Sequence, residues 1–151
     1  MRGVIDTNVW VSGLLWTGPP WQILCLLEQK RIEAFATVSM LQELETVLHY
    51  PRLQSRRQEL GLEIADLLAY ATALVSLVEL QRIDPVVLAD PDDDVFVNCA
   101  VAVRAIYLIS GNRHLLDLKQ WQGILVVTPQ AFLAQEFPHV ELDMPRADEP
   151  T

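Results

Sequence analysis

Short, mostly apolar runs alternate along this chain with longer amphipathic stretches, and no other feature restricts the fold as strongly. Gly3-Val4-Ile5, Ala34-Phe35-Ala36-Thr37-Val38, Val75-Ser76-Leu77-Val78, Ile106-Tyr107-Leu108-Ile109 and Gly123-Ile124-Leu125-Val126-Val127 read as strands. Their side chains do not alternate between apolar and polar, so both faces of the sheet they form must be covered. Helices fit between them over roughly Trp21 to Gln29, Met40 to Leu48, Ile64 to Leu74 and Asp93 to Arg104, with a last one near Gln130 to Gln135. This succession predicts an α/β fold, a three-layer α/β/α sandwich around a mostly parallel central sheet.

With 151 residues, 51% of them hydrophobic, the chain has material for one domain with a real core. That domain is expected over residues 1–137. The remainder, 138–151, sets Pro138, Pro145 and Pro150 among Glu141, Asp143, Asp148 and Glu149, and reads as a loose acidic tail. No apolar run reaches the roughly 18 residues of a membrane span. The start, Met1-Arg2-Gly3-Val4-Ile5-Asp6, meets an acid too early for a signal peptide. A soluble, cytoplasmic protein is the expectation.

Cys25 and Cys99 lie without paired spacing in apolar stretches and read as reduced core thiols, while His49, His114 and His139 are scattered. Any metal would therefore need oxygen ligands. Eleven Lys and Arg against twenty Asp and Glu give a net charge of −9, which argues against non-specific wrapping of nucleic acid but leaves nuclease chemistry open. Arg52, Arg56 and Arg57 cluster after Pro51 and read first as a solvated helix face.

In an open parallel sheet, ligands bind beyond the carboxyl ends of the strands, where strand order reverses. The first strand runs into Asp6-Thr7-Asn8, the second into Ser39 and the helix carrying Glu43, and the fourth into Ser110-Gly111-Asn112. Each alone is an ordinary turn or cap sequence. Ser39, followed by Gln42 at capping-box spacing, is expected to cap its helix. Along that helix Glu43 and Glu45 flank the apolar stripe on opposite sides, and periodicity does not choose between them.

The densest signal is Asp90-Pro91-Asp92-Asp93-Asp94, which enters an apolar helix. One or two carboxylates are favoured at a helix start by the free N–H groups, and four aspartates exceed that need. On a regular helix Asp93 lies over Phe96, Val97 and Ala100, aimed inward toward Asp6, whereas Asp94 aligns with Asn98 on the more polar side. Two carboxylates about 5 Å apart repel by roughly 3 kcal/mol at an effective dielectric of about 20. Protonation of one acid or a bound divalent cation must offset that, and hard oxygen donors favour Mg²⁺ or Mn²⁺. Metal-assisted phosphodiester cleavage is the chemistry that follows.

The ordered set Val4-Ile5-Asp6-Thr7-Asn8-Val9, Ser39 with Glu43-Leu44 and Val47-Leu48, Asp90-Pro91-Asp92-Asp93 with Phe96 and Ala100, Ile109-Ser110-Gly111-Asn112 with Leu115-Leu116, and Val127-Thr128-Pro129 with Phe132 resembles a PIN domain. More narrowly, it resembles the PIN-family toxins of prokaryotic toxin–antitoxin systems, over about Gly3 to Phe132. The resemblance implies a Mg²⁺-dependent endoribonuclease (Mn²⁺ substituting) acting on single-stranded RNA, a cognate antitoxin that shields the site, and a homodimer. It selects Glu43 over Glu45 and agrees with Asp6 and Asp93 as catalytic and metal-holding acids, with Asn8 and Ser110 in support of site or substrate.

One departure stands out: the family often has Thr-Gly-Asp where this chain has Ser110-Gly111-Asn112, so a fourth carboxylate is missing. Asn112 can still hold a water of the metal's shell through its side-chain oxygen, which makes it a weaker ligand. Asp94 and Asp117 are candidates to replace that carboxylate, but read first as a cap and an exposed loop residue. Trp10, Trp16 and Trp21 suit stacking on RNA bases or contact with an antitoxin segment, but at least two are expected to be buried among the first helices.

Other phosphate-handling folds fit less well. A dehalogenase-like phosphatase wants an acid at position 8, where Asn8 stands, a receiver domain wants a lysine where Thr128-Pro129 stands, and a Walker loop is absent. The alternative of a different class is a non-catalytic PIN-like binding module that keeps the acids as structure.

Overall fold

The computed structural model describes residues 1–87 and 90–139. Six strands form one sheet: β1 (Arg2–Ile5), β2 (Glu33–Ala36), β3 (Val75–Leu77), β4 (Tyr107–Ile109), β5 (Gln120–Trp121) and β6 (Ile124–Val127), in the order β3-β2-β1-β4-β6-β5. All neighbours pair in parallel except β5 with β6, which are antiparallel. The chain steps outward from β1 to β2 and β3, then returns to the other side of β1 with β4. Strand order therefore reverses between β1 and β4.

Helices cover both faces, as the apolar strands require. On one face, α1 (Thr7–Leu15), α2 (Pro19–Glu28), α3 (Val38–Leu48), α5 (Ile64–Leu74) and α8 (Pro129–Glu136) enclose a core with Ile5, Ala34, Tyr107 and Ile109. On the other, α6 (Asp94–Ala102) packs Phe96, Val97 and Ala100 on Val4, Leu108 and Val126, and Leu115 of α7 (Arg113–Leu116) joins them. The adjacent pairs Val4/Ile5 and Leu108/Ile109 divide between the two cores, the alternation a pleated strand imposes. Among the described residues, no helix is long and apolar enough to cross a membrane.

Several elements differ from the sequence expectation. α1 was not expected, because Val9, Trp10 and Val11 are poor helix formers and Gly13 worse. Seven of its nine residues are buried, so packing overrides propensity. Gly13 makes that packing possible: a Cβ there would lie 2.8 Å from a Leu24 side-chain carbon and 2.9 Å from the Pro20 carbonyl oxygen. A second unexpected helix, α4 (Gln54–Leu60), follows a 3-10 turn at Pro51–Leu53. The short β5 is joined to β6 through Gln122 (φ 47°) and Gly123 (φ 85°), a two-residue turn of positive φ that glycine accommodates freely.

The second strand ends at Ala36, earlier than expected, and Val38 becomes the first, exposed residue of α3. Thr37, not Ser39, is the cap. Its hydroxyl accepts the Met40 N–H (3.2 Å), and the Met40 sulfur accepts the Thr37 N–H (3.3 Å), a reciprocal box closed by a thioether instead of the expected Glu or Gln.

The arginine cluster is only partly a solvated face. Arg56 reaches back to donate to the Leu15 carbonyl at 2.7 Å and lies over the Trp16 ring. Trp10 is buried, Trp21 half-buried and Trp16 exposed. Cys99 is a buried free thiol and Cys25 a half-buried one. Of the expected tail, only Pro138 and His139 lie within the described residues.

Candidate active site

The first strand delivers Asp6 to the β1/β4 crevice. Its own N–H bonds the Ile109 carbonyl (3.0 Å), which ties the ends of β1 and β4 together. Its backbone begins α1, but its side chain makes no cap bond and is left for other partners. One carboxylate oxygen accepts the Ser110 hydroxyl at 2.7 Å, and the same hydroxyl oxygen accepts the Asn112 N–H at 2.9 Å. Ser110 is fully buried, so it serves Asp6 from beneath.

Asp93 arrives from the other side, closing a 3-10 turn (Pro91–Asp93) just before α6. Asp90 makes that turn, its side chain accepting the Asp92 N–H at 3.1 Å. Asp93 is 6% exposed and receives the Asn112 side-chain amide at 2.9 Å. The Asn112 oxygen accepts the His114 N–H (2.9 Å) and so caps α7. Asn112 therefore bridges the fourth strand end to Asp93 through its amide, while its oxygen is already engaged.

Glu43 projects from α3, between one and two turns beyond the Thr37 cap. The residue is exposed, yet its carboxyl reaches the same electrostatic environment. Its pKa is raised by partial desolvation and by the charges of Asp6, Asp92 and Asp90, against a lowering by the Thr7 hydroxyl. That hydroxyl is buried beside Glu43 without a hydrogen bond of ordinary geometry.

Burial likewise raises the pKa of Asp6, against the pull of Ser110 and the Thr7 amide. Asp93 is pushed up to about 6 by burial and by Asp90, Asp6 and Glu43, with Asn112 pulling the other way. The charges acting most strongly on Glu43 and Asp93 are thus other carboxylates. Glu45 instead faces the groove between α3 and α5 with His49.

Among the described residues, no group of three or more His, Cys, Asp or Glu side chains is gathered closely enough to hold a metal ion as it stands. The donor chemistry nonetheless fits a hard divalent cation: the donors are all oxygen, and Asp93 is buried close to the charges of Asp90, Asp6 and Glu43. Asn8 is exposed on the first turn of α1, and Asp117 is exposed at the end of α7.

Sequence reasoning missed three contributors. The sequence marks Thr7 only as part of a strand end, Asp90 only as one member of an acidic run, and Asp94 first as a cap. Asp94 is instead as buried as Asp93, and its carboxylate accepts the N–H groups of Val86 (3.0 Å) and Val87 (2.7 Å). Asn98, one turn on, exchanges two hydrogen bonds with the Asp84 backbone (2.9 and 2.8 Å). The alignment of Asp94 with Asn98 is as expected, but that side of α6 clamps the 84–87 segment.

Fold and site together define a class: an open, mostly parallel α/β/α sandwich with an acid-lined crevice at its topological switch point. Within that class the PIN-domain family profile matches residues 2–114, a span that takes in Asp6, Glu43, Asp93 and Asn112, and the chain belongs to the PIN-domain family. PIN domains are in general divalent-metal-dependent nucleases. A search of curated proteins finds no match to the chain.

Proposed function

We propose that the protein is a Mg²⁺- or Mn²⁺-dependent endoribonuclease that cleaves single-stranded RNA, with Asp6, Glu43 and Asp93 as its catalytic and metal-holding residues. The placement of these acids at the β1/β4 crevice carries the reading: Asp6 and Asp93 are buried there, and beyond burial itself the charges of Asp6 and Glu43 bear on Asp93. Carboxylates buried close to other carboxylates call for a counter-charge, and an all-oxygen donor set suits Mg²⁺ or Mn²⁺. When bound, such a cation would offset the charge developing on a phosphodiester and activate water.

The chain's own groups would prepare that site. Ser110 fixes one Asp6 oxygen and Asn112 fixes one Asp93 oxygen. Asn112 is the weaker ligand because its own oxygen already accepts the His114 N–H. Asn8 is assigned to contact with the RNA. In the cell, the reading is that of a cytoplasmic toxin, a homodimer held in check by a cognate antitoxin. Its support is the ordered resemblance of the residues, and a neighbouring small reading frame for a DNA-binding protein that co-purifies with the chain would check it.

The second reading, a non-catalytic PIN-like binding module, is favoured by one observation: the acids are not already gathered into a metal-holding group. Incubation of purified protein with single-stranded RNA, in Mg²⁺, Mn²⁺ or chelator, separates the two. Metal-dependent cleavage lost in each of Asp6→Asn, Glu43→Gln and Asp93→Asn is expected. Folded wild-type protein without metal-dependent cleavage would leave the binding module as the better account.

A further inference from the structure

Val38, Leu77 and Ile83 are the most exposed large apolar side chains of the described residues, at 57, 56 and 52%. All three line a single cavity of about 680 Å³, together with Leu80, Val95 and one charged residue, Glu79. Three scattered apolar side chains would need no explanation, but convergence of the three most exposed on one cavity does. The cavity lies where β2 and β3 end, and β3 is the terminal strand of the sheet. The Val78 N–H bonds inward to the Ala36 carbonyl (2.9 Å). In a parallel strand, the preceding Leu77, the last residue of β3, then turns its backbone groups outward, where no partner strand lies among the described residues.

These observations select an occupant. The lining is aliphatic and offers no aromatic platform for bases, and Glu79 repels phosphate, so nucleic acid fits poorly. The chain's own residues 140–151 carry Glu141, Asp143, Asp148 and Glu149 against Arg146, the wrong sign to meet Glu79. A second copy paired at this edge about a two-fold axis would bring its own Glu79 into the same interface. We infer that this edge receives an extended segment of a different protein, added as a strand along β3, with apolar side chains at alternate positions in the cavity and a lysine or arginine paired with Glu79. Since Thr37 and Ser39 form part of the cavity wall at the head of α3, the occupant would lie beside the helix that carries Glu43. The inference does not rest on nuclease activity, and its test contains no metal.

A random peptide library displayed on phage is panned on the full chain in chelator. The recovered peptides are then measured by fluorescence anisotropy against wild type, the Leu77→Asp/Ile83→Asp double variant, Val38→Ser and Glu79→Arg. Because the substituted side chains are exposed, unchanged melting temperatures are expected, and the single variants carry the test if the double one does not fold. The expected peptides alternate apolar residues and carry a lysine or arginine. They should bind each groove variant at least about tenfold more weakly than wild type, and should lose binding on backbone N-methylation along one edge. Recovery of no binders, peptides indifferent to all these substitutions, or displacement of the peptides by a single-stranded RNA oligonucleotide would overturn the assignment.

Discussion

Asp93 and Asp94 are neighbours in sequence and equally buried, at 6% exposure each, yet they belong to opposite kinds of environment. Asp94 faces donors: the N–H groups of Val86 and Val87 converge on one of its oxygens. Asp93 faces other acids, and among the described residues its carboxylate accepts the Asn112 side-chain amide. A carboxylate surrounded by N–H groups holds chain in place, whereas one surrounded by carboxylates stores repulsion that a ligand can relieve. Burial does not distinguish these two environments. Their partners do.

The contrast can be broken at either residue, and the largest effect belongs to the structural one. Asp94→Ala strands two backbone N–H groups at the base of the 84–87 segment and should cost about 2–5 kcal/mol. Chemical denaturation should show that loss equally with and without Mn²⁺. A loss below about 1 kcal/mol would mean that the clamp contributes little.

Asn112→Asp acts on the other environment. It keeps an acceptor for the His114 N–H but replaces the amide that donates to Asp93 with a negative charge. Destabilisation by roughly 1–3 kcal/mol in chelator is expected, with a larger gain in melting temperature on adding Mn²⁺ than wild type shows. A protein unchanged in both measurements would detach Asn112 from the site.

Asp93→Asn should give the smallest change and the opposite sign. The folded chain holds the Asp93 proton up to about pH 6, against an ordinary value of 3.8. Between those pH values the folded state binds more protons than the unfolded state, so in chelator the Asp93 contribution to stability falls as pH rises through the window. Above it the penalty is complete. Asp93→Asn should therefore raise stability at neutral pH by roughly 1–2 kcal/mol and flatten the slope between about pH 4 and 6. Thermal melts across that range, compared with wild type, check the sign; destabilisation at neutral pH would contradict it.

Much of this arrangement was legible before any coordinates. Strand positions and the parallel sheet follow from apolar runs that need cover on both faces, and strand ends with polar residues mark the crevice because both are local properties. α1 was hidden because its residues favour other conformations and only packing against α2, α3 and the sheet makes them helical. The Thr37 cap was hidden because a methionine closes its box. At the site, helical periodicity aims Asp93 inward, but equal burial of Asp94 depends on the 84–87 segment folding back over α6. The same holds for the influence of Thr7 and Asp90 on Glu43, which arises only when elements distant in sequence meet.

Calorimetric titration of Mn²⁺ into wild type, Asp93→Asn and the conservative Asp94→Asn addresses the central claim directly, namely that the acids around Asp93 form a cation site and Asp94 a structural clamp. Saturable binding by wild type is predicted, retained by Asp94→Asn if it folds and lost or strongly weakened in Asp93→Asn. Binding indifferent to Asp93, or none by folded wild-type protein at millimolar Mn²⁺, would contradict it.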